Sequence, residues 1–347
     1  MRSIEDGFLK KLEFPAGILS DIRAIGEYRG REALFARQSP ETLEKLLESA
    51  IIQSAESSNR IEGVFAPLKR IKELVEKGAQ PRTRPEQEIA GYRDALNLIH
   101  SGYKDIPVSE ETILKLHSMI YRYTAVQSGA WKKWDNEIVE IKPNGSKTVR
   151  FRPVSAEDTP LFMNKLLSLY NNRVKEEFPD PVILIPLFIL DLLCIHPFLD
   201  GNGRIARLLT LLLLYKAGYG VGRYISLERI TETTRKNYYE VLLRSSQGWQ
   251  EGRHDVFPWL RYFYGTLIAA YKEFESRFAA FKGKGSKTEQ VRSAVEGSIK
   301  PFSIADVENA CPNVTRDMIR IVLHRLRDDG KIKSTGIGRS AKWVKIG

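Results

Sequence analysis

A chain of 347 residues with 42% apolar and 28% charged residues has the composition of a globular protein, long enough for one sizeable domain and a small one or two. Those proportions exclude a disordered chain. The most apolar stretch, Pro181 to Leu214, is interrupted by Asp191, His196, Asp200, Arg204 and Arg207, which excludes a membrane span. Residues 1–11 lack the apolar core of a signal peptide, and Cys194 and Cys311 make no disulfide framework, so a cytoplasmic protein without a membrane partner is expected. The net charge of +11 is uneven: residues 282–347 hold 14 Lys/Arg against 7 Asp/Glu, the remaining 281 residues 40 against 36.

The pattern is mainly α. Ser39-Pro40-Glu41 offers a capping side chain and a first-turn proline. Leu43, Leu46, Leu47, Ala50 and Ile51 then recur at helical spacing, which predicts a helix from about residue 41 to Ser58 with a stop near Gly63. Further helices are predicted at about 85–100, 109–121, 155–174, 181–194, 202–217, 228–243 and 256–281. One segment breaks the period: β-branched runs on either side of Asn144-Gly145 predict a hairpin over 136–152. Phe281 to Lys287 is a short Gly/Lys-rich linker. Beyond it come a helix (288–299), a short helix capped by Ser303, and a third capped by Asn313 or Thr315. In the third, Ile319, Val322, Leu323 and Leu326 form an apolar stripe, with Arg316, Arg320, His324 and Arg327 off it. Two strands, 331–335 and 342–346, follow with Gly336 and Gly338 between them. Residues 288–347 therefore read as a winged helix-turn-helix. No internal repeat, zinc-ligand spacing or Walker-type loop is found.

The most informative string is His196-Pro197-Phe198-Leu199-Asp200-Gly201-Asn202-Gly203-Arg204-Ile205-Ala206-Arg207. An imidazole can deprotonate a hydroxyl near neutral pH, and a carboxylate can hold Mg²⁺ beside substrate phosphates. Gly201-Asn202-Gly203 permits close backbone approach where a helix begins, so free N–H groups face an anion. Arg204 and Arg207, at i and i+3, would rise from one helical face toward the same phosphates. Taken singly, a His before Pro is more often a cap or core residue and Asp-Gly-Asn-Gly is a common turn. A turn requires neither the histidine nor the paired arginines, so their joint occurrence favours chemistry.

The string matches, at every defining position, the His-x-Phe-x-Asp/Glu-Gly-Asn-Gly-Arg-x-x-Arg pattern of the Fic domain family, and the resemblance extends over roughly residues 1–280. It implies a Fic-type helical bundle with a β-hairpin flap, followed here by the winged-helix unit. The implied organisation is an N-terminal helical region (1–100, with an inhibitory helix at about 41–63), a catalytic core (101–281) and the terminal domain (288–347). By resemblance the chain is an adenylyltransferase that moves AMP from ATP to a Ser, Thr or Tyr hydroxyl of a target protein, or of itself. His196 would then be the general base, Asp200 the Mg²⁺ ligand, and Gly201, Asn202 and Gly203 the anion turn. Arg204 and Arg207 would hold the β- and γ-phosphates. Doc-like toxins carry Lys at the position of Arg204 and move a phosphate, so Arg204 favours nucleotide transfer. Other nucleotide donors, or the removal of AMP, stay open. Tyr238 and Tyr239, after Asn237, fall where related proteins shape the adenine and ribose pocket, with helix-core packing the equal alternative; Asn237 and Tyr239 are the candidates.

Ser58-Asn59-Arg60-Ile61-Glu62-Gly63 matches the self-inhibitory motif Ser/Thr-x-x-x-Glu-Gly/Asn of the same family. The resemblance implies that Glu62 pairs with Arg207 and takes the place of the γ-phosphate, with Ser58 and Gly63 framing it. The flap is the expected contact for a target protein, by strand addition; a homodimer is a further partner consistent with the family. The basic tail supports a second class of function, a DNA-binding regulator, against protein docking or dimerisation as its plainer use.

Overall fold

The structure, a computed structural model, describes residues 2–38, 40–141, 146–283, 287–298, 301–311, 314–335 and 342–345. Six helices come first: α1 (Asp6–Leu9), α2 (Ala16–Gln38), α3 (Pro40–Ile61), α4 (Leu68–Glu76), α5 (Arg84–Gly102) and α6 (Glu110–Tyr121). A hairpin follows, β1 (Ile138–Ile141) and β2 (Lys147–Phe151). Then come α7 (Thr159–Glu176), α8 (Pro181–Ile195), α9 (Asn202–Lys216), a 3-10 turn at Val221–Arg223, α10 (Leu227–Thr233), α11 (Arg235–Ser246) and α12 (Phe257–Gly283). The chain divides into two compact units, Met1–Phe274 and Glu275–Gly347. Among the described residues no helix is long and apolar enough to cross a membrane.

Local chemistry starts these helices. The Ser109 hydroxyl accepts from the Thr112 N–H at 3.2 Å at the head of α6, and the Asp180 carboxylate accepts from Val182 N–H at 2.8 Å ahead of Pro181 on α8. α8 is apolar on nearly every side and buried, as a helix at the centre of a bundle must be. Asp191, the acid within it, is fully buried. Its carboxylate accepts from the Ser3 hydroxyl at 2.5 Å and the Trp249 indole N–H at 2.6 Å. α8 packs on α7 and α9, and α3 on α5 and α10.

The boundaries differ from expectation in places. α3 continues to Ile61; its cap Ser39 lies outside the described residues. α7 starts at Thr159, because Ser155 and Asp158 close a turn of their own (Asp158 N–H to Ser155 Oγ, 3.1 Å). The helix expected over 228–243 is two, broken at Thr234. The hydroxyls of Thr231, Thr233 and Thr234 take backbone carbonyls of Leu227 and Ile230 and so compete with the helical ladder. α1, α2 and α4 were not foreseen.

The hairpin is antiparallel, with Val139 opposite Val149 and a register irregularity after Ile138. Its turn, 142–145, lies outside the described residues. Gln247 and Gln250 donate side-chain N–H groups to the Arg150 and Arg152 carbonyls at 3.4 and 3.3 Å, which ties β2 to the end of α11.

The second unit contains α13 (Lys287–Gly297), α14 (Ile304–Ala310), α15 (Arg316–Asp328) and the antiparallel strands β3 (Ile332–Thr335) and β4 (Lys342–Lys345). Ser303 and Asp306 form a reciprocal capping box at α14. Thr315 occupies the N-cap position of α15 without a side-chain cap bond; Asn313, Gly336 and Gly338 lie outside the described residues. Ile319, Val322, Leu323 and Leu326 of α15 meet Val291, Phe302 and Trp343 in the unit's own core.

Candidate active site

α8 ends at Ile195, and His196 caps it in the left-handed region (φ 52°), its N–H donating to the Leu192 carbonyl at 2.9 Å. A non-glycine residue there is uncommon and is held by its surroundings. The holding is visible. Lys132 N–H donates to the Pro197 carbonyl at 2.9 Å, and its ammonium to the Ile195 carbonyl at 3.3 Å and Asn136 Oδ1 at 2.9 Å. Asn136 in turn donates to the Phe198 carbonyl at 3.1 Å, and Asn202 exchanges two bonds with the Phe198 backbone (2.9 and 2.7 Å). The Phe198 ring stacks on His117 with centroids 3.7 Å apart and 4° between planes. His117 Nδ1 accepts from Gly129 N–H at 2.9 Å, so its Nε2 carries the proton given to the Asp200 carbonyl at 3.1 Å. Burial keeps that ring neutral, its pKa down at about 4.

The His196 ring is part-buried. Burial pushes its pKa down to about 4 despite the Leu193 carbonyl, and the Lys132 charge adds to the push, against Glu62 and Asp200. With Nδ1 3.3 Å from the Leu193 carbonyl, an acceptor only, the neutral ring holds its proton on Nδ1 and leaves the Nε2 lone pair as a base. A cavity of about 700 Å³ is lined by His196, Glu62, Gly203, Tyr238 and Tyr239, with Val139 and Phe151 of the hairpin as one wall. The hairpin and the motif loop thus border one space.

Gly201 opens α9 at φ 86°, where an added Cβ would press on Ile120 and Tyr121 at 3.0 and 3.2 Å. Asp200 is two-thirds exposed. Burial alone would raise its carboxyl pKa, but the Tyr121 hydroxyl and Arg204 hold it below the usual range. Among the described residues no three His, Cys, Asp or Glu side chains cluster as a metal cage. One exposed carboxylate suits an ion that takes its other oxygens from phosphates and water, as Mg²⁺ does.

The two motif arginines, expected on the same phosphates, have separate partners. Arg204 is buried, with Nη1 2.5 Å from Glu88 Oε2, Nη2 donating to Tyr121 Oη at 2.7 Å, and Asp200 Oδ2 at 3.6 Å. Arg207 turns to the end of α3: Nε donates to Ser58 Oγ at 2.8 Å, Nη2 to the Ser58 carbonyl at 2.9 Å and to Glu62 Oε1 at 2.8 Å. Its Nη1 is buried without a hydrogen-bond partner among the described residues. A Cβ at position 203 would lie 2.3 Å from Glu62 Oε1, so this approach of Glu62 requires glycine there. Gly63 follows at φ 81° and lets the chain leave the helix. Tyr239 donates to the Ile61 carbonyl at 3.4 Å and lines the cavity; Asn237 borders a different hollow, with Arg244 and Arg261.

Sequence reading missed Glu88, Tyr121, His117 and Lys132; Tyr238, expected beside Tyr239, lines the cavity with it. Only Glu88 carried a legible signal: it shares a helical face with Tyr92, Leu96 and Ile99, and a carboxylate on an apolar face requires a buried cation.

Residues 107–214, from the approach to α6 to near the end of α9, match the family described as Fic/DOC family. The chain therefore carries a Fic/DOC domain, within which the hairpin and the whole His196–Arg207 string fall. It is similar to the protein adenylyltransferase Fic of Nematostella vectensis, 24% identical over 229 residues, covering 63% of this chain and 48% of that one. The protein of the same name from Drosophila melanogaster is 27% identical over 237 residues, 67% of this chain and 44% of that one. The chain thus spans less than half the length of these relatives. In fold it resembles a Fic family protein of Desulfovibrio desulfuricans, with a TM-score of 0.64, 20% identity, and coverage of 97% of this chain and 98% of that one. Fic-1 of C. elegans superposes with a TM-score of 0.62 at 21% identity, over 78% of this chain and 74% of that one.

Proposed function

We propose that this protein transfers AMP from ATP to a hydroxyl of a target protein and that Glu62 holds the activity off. The observation that carries the reading is the Glu62–Arg207 pair beside Gly203, whose carboxylate borders the same cavity as the neutral base His196. The names of the curated relatives support it.

His196 Nε2 accepts the proton of a Ser, Thr or Tyr hydroxyl as that oxygen attacks the α-phosphorus. The bond from the α-phosphorus to the bridging oxygen breaks, leaving an AMP ester on the target and releasing pyrophosphate. The first-turn amides of α9, at Asn202 and Gly203, face the polyphosphate. Arg207 contributes a second point of charge, and its unpartnered Nη1 is suited to an anion once Glu62 withdraws. Arg204 stays with Glu88 and offers what remains of its Nη2, next to Asp200. Asp200 is the carboxylate this chain offers Mg²⁺, which neutralises phosphate charge when it arrives with ATP. Tyr238 and Tyr239 line the cavity and would meet the base, and the hairpin would add a strand of the target.

Incubation with Mg²⁺ and α-labelled ATP tests this. Wild type labels itself or a partner weakly, Glu62→Gly raises the label, and His196→Ala abolishes it in either background. Label from γ-labelled ATP alone in Glu62→Gly refutes nucleotide transfer; label from neither moves the donor away from ATP.

A further inference from the structure

We propose that the Glu275–Gly347 unit binds duplex DNA, with α15 entering the major groove and the β3–β4 hairpin lying along the adjacent backbone. The proposal is independent of the transfer reading. α15 spends one face on the core through Ile319, Val322, Leu323 and Leu326. Arg316, Arg320 and Arg327 lie off that face, with side chains roughly half exposed. With His324 they repeat at four, four and three residues, a single ridge about 16 Å long at the helical rise. A helix of this width fits a major groove about 12 Å across.

The acids beside the ridge do not cancel it. Glu308 is 3.4 Å from Arg316, Asp317 3.4 Å from Arg320 and Asp328 2.8 Å from Arg327. These are solvent-facing pairs, each worth about 0–1 kcal/mol, and a phosphate replaces such a partner readily. The hairpin extends the charge with the exposed Lys331, Lys333 and Lys342. Its position is set: the Phe302 and Trp343 backbones exchange two hydrogen bonds (3.0 and 2.7 Å), and the His324 ring meets Trp343 edge-on at 5.9 Å. The hairpin is therefore fixed to the same core as α15, and its lysines add to the unit's exposed positive charge.

The composition of that surface decides between partners. Protein interfaces put apolar and aromatic residues at their centre and exclude charge. Here the one large apolar side chain exposed among the described residues of the unit is Ile321. Single-stranded nucleic acid is gripped by stacking on exposed aromatic rings. From Lys287 onward the chain has two Phe, Tyr or Trp residues, Phe302 and Trp343, and both are buried; the His324 ring is turned edge-on to Trp343. Charge without stacking platforms, on a helix of groove width, selects the duplex.

The test uses the whole 347-residue chain and a fluorescent mixed-sequence duplex of about 24 base pairs, read by anisotropy from about 50 to 200 mM NaCl. Five or so phosphate contacts give a slope of log affinity against log salt of about −4 to −5. Arg316→Ala/Arg320→Ala should flatten that slope by about 2 and weaken binding about tenfold or more at ~100 mM salt, with thermal unfolding unchanged. Lys331→Glu/Lys333→Glu, on the hairpin, should weaken binding comparably. The proposal is overturned by no duplex binding at ~50 mM salt, by equal affinity for the single strand, or by an unchanged slope in the double variant. If sedimentation shows that the double variant instead dissolves a self-association, the ridge is a protein-docking face.

Discussion

Arg204 and Arg207 leave α9 one turn apart and end in two regions of different construction. Around Arg204 the main contacts are closed: its partner Glu88 is 6% exposed, Tyr121 is buried, and the adjoining loop is pinned by His117, Asn136 and Asn202, with the exposed Asp200 at 3.6 Å the exception. Around Arg207 one side is closed and one is open. Ser58 is buried, but Glu62 is 28% exposed, borders the cavity, and lies near a guanidinium N–H with no partner among the described residues. A carboxylate sealed with its cation cannot leave without stranding a charge in the core; one that borders solvent can rotate into water while an anion takes its place. The same residue type three positions apart is therefore held mainly by a buried acid at 204 and by a partly exposed one at 207.

Removing the acids one at a time gives the largest expected effect. Glu88→Ala leaves Arg204 buried without its main partner and should cost about 3–5 kcal/mol in chemical denaturation. Glu62→Ala leaves Arg207 bonded to Ser58 and should cost about 1–2 kcal/mol. Equal costs for the two variants would erase the distinction between the regions.

Acid should expose the closed construction next. Burial pushes His100, His117, His196 and His254 down to about 4 in the folded chain, from an ordinary value of 6.5. Between those values the unfolded chain binds protons that the folded one refuses. Their contribution is therefore intact above pH 6.5 and is lost as pH falls toward 4, at up to about 1.4 kcal/mol per pH unit for each group. Glu32 runs the other way: burial pushes it up to about 7, so its folded form holds a proton that the unfolded form releases over pH 4.5–7, offsetting roughly one histidine. Stability from urea melts should fall by up to about 4 kcal/mol per pH unit between pH 6.5 and 5. A flat profile would mean that these imidazoles charge without unfolding, and the neutral-base role of His196 would go with them.

The local half of this site was legible and the long-range half was not. His196 to Arg207 and Ser58 to Gly63 are short strings whose glycines, capping residues and charges act on near neighbours, so reading them needs no tertiary knowledge. The Arg204–Glu88 pair spans 116 positions and the His117–Asp200 contact 83, and no local pattern encodes which helices meet. The helices divide along similar lines. α8 and α9 announce themselves by continuous apolar sequence, whereas α2 buries only a few apolar side chains, Ile18 and Ile25 among them, and its Glu32 docks on Gly220, where a Cβ would fall 2.4 Å from the carboxylate. The break at Thr234 was missed because threonine is common inside helices, and nothing in the local pattern shows that these hydroxyls bond helix carbonyls instead of water.

The smallest effect separates the buried and open sides of the Arg207 site. The Ser58 hydroxyl accepts from Arg207 Nε without bordering the cavity, while Glu62 accepts from Nη2 and does. If Ser58 acts only by aiming Arg207 at Glu62, Ser58→Ala should loosen that aim by about 1 kcal/mol and raise AMP labelling about fivefold in the wild-type background. In the Glu62→Gly background, where no carboxylate is left to be aimed at, the same substitution should leave labelling unchanged. The two changes would then be strongly non-additive, as contacts sharing one guanidinium must be. Additive increases across the cycle would instead make Ser58 a separate restraint on the site, and Glu62 alone would no longer account for its closure.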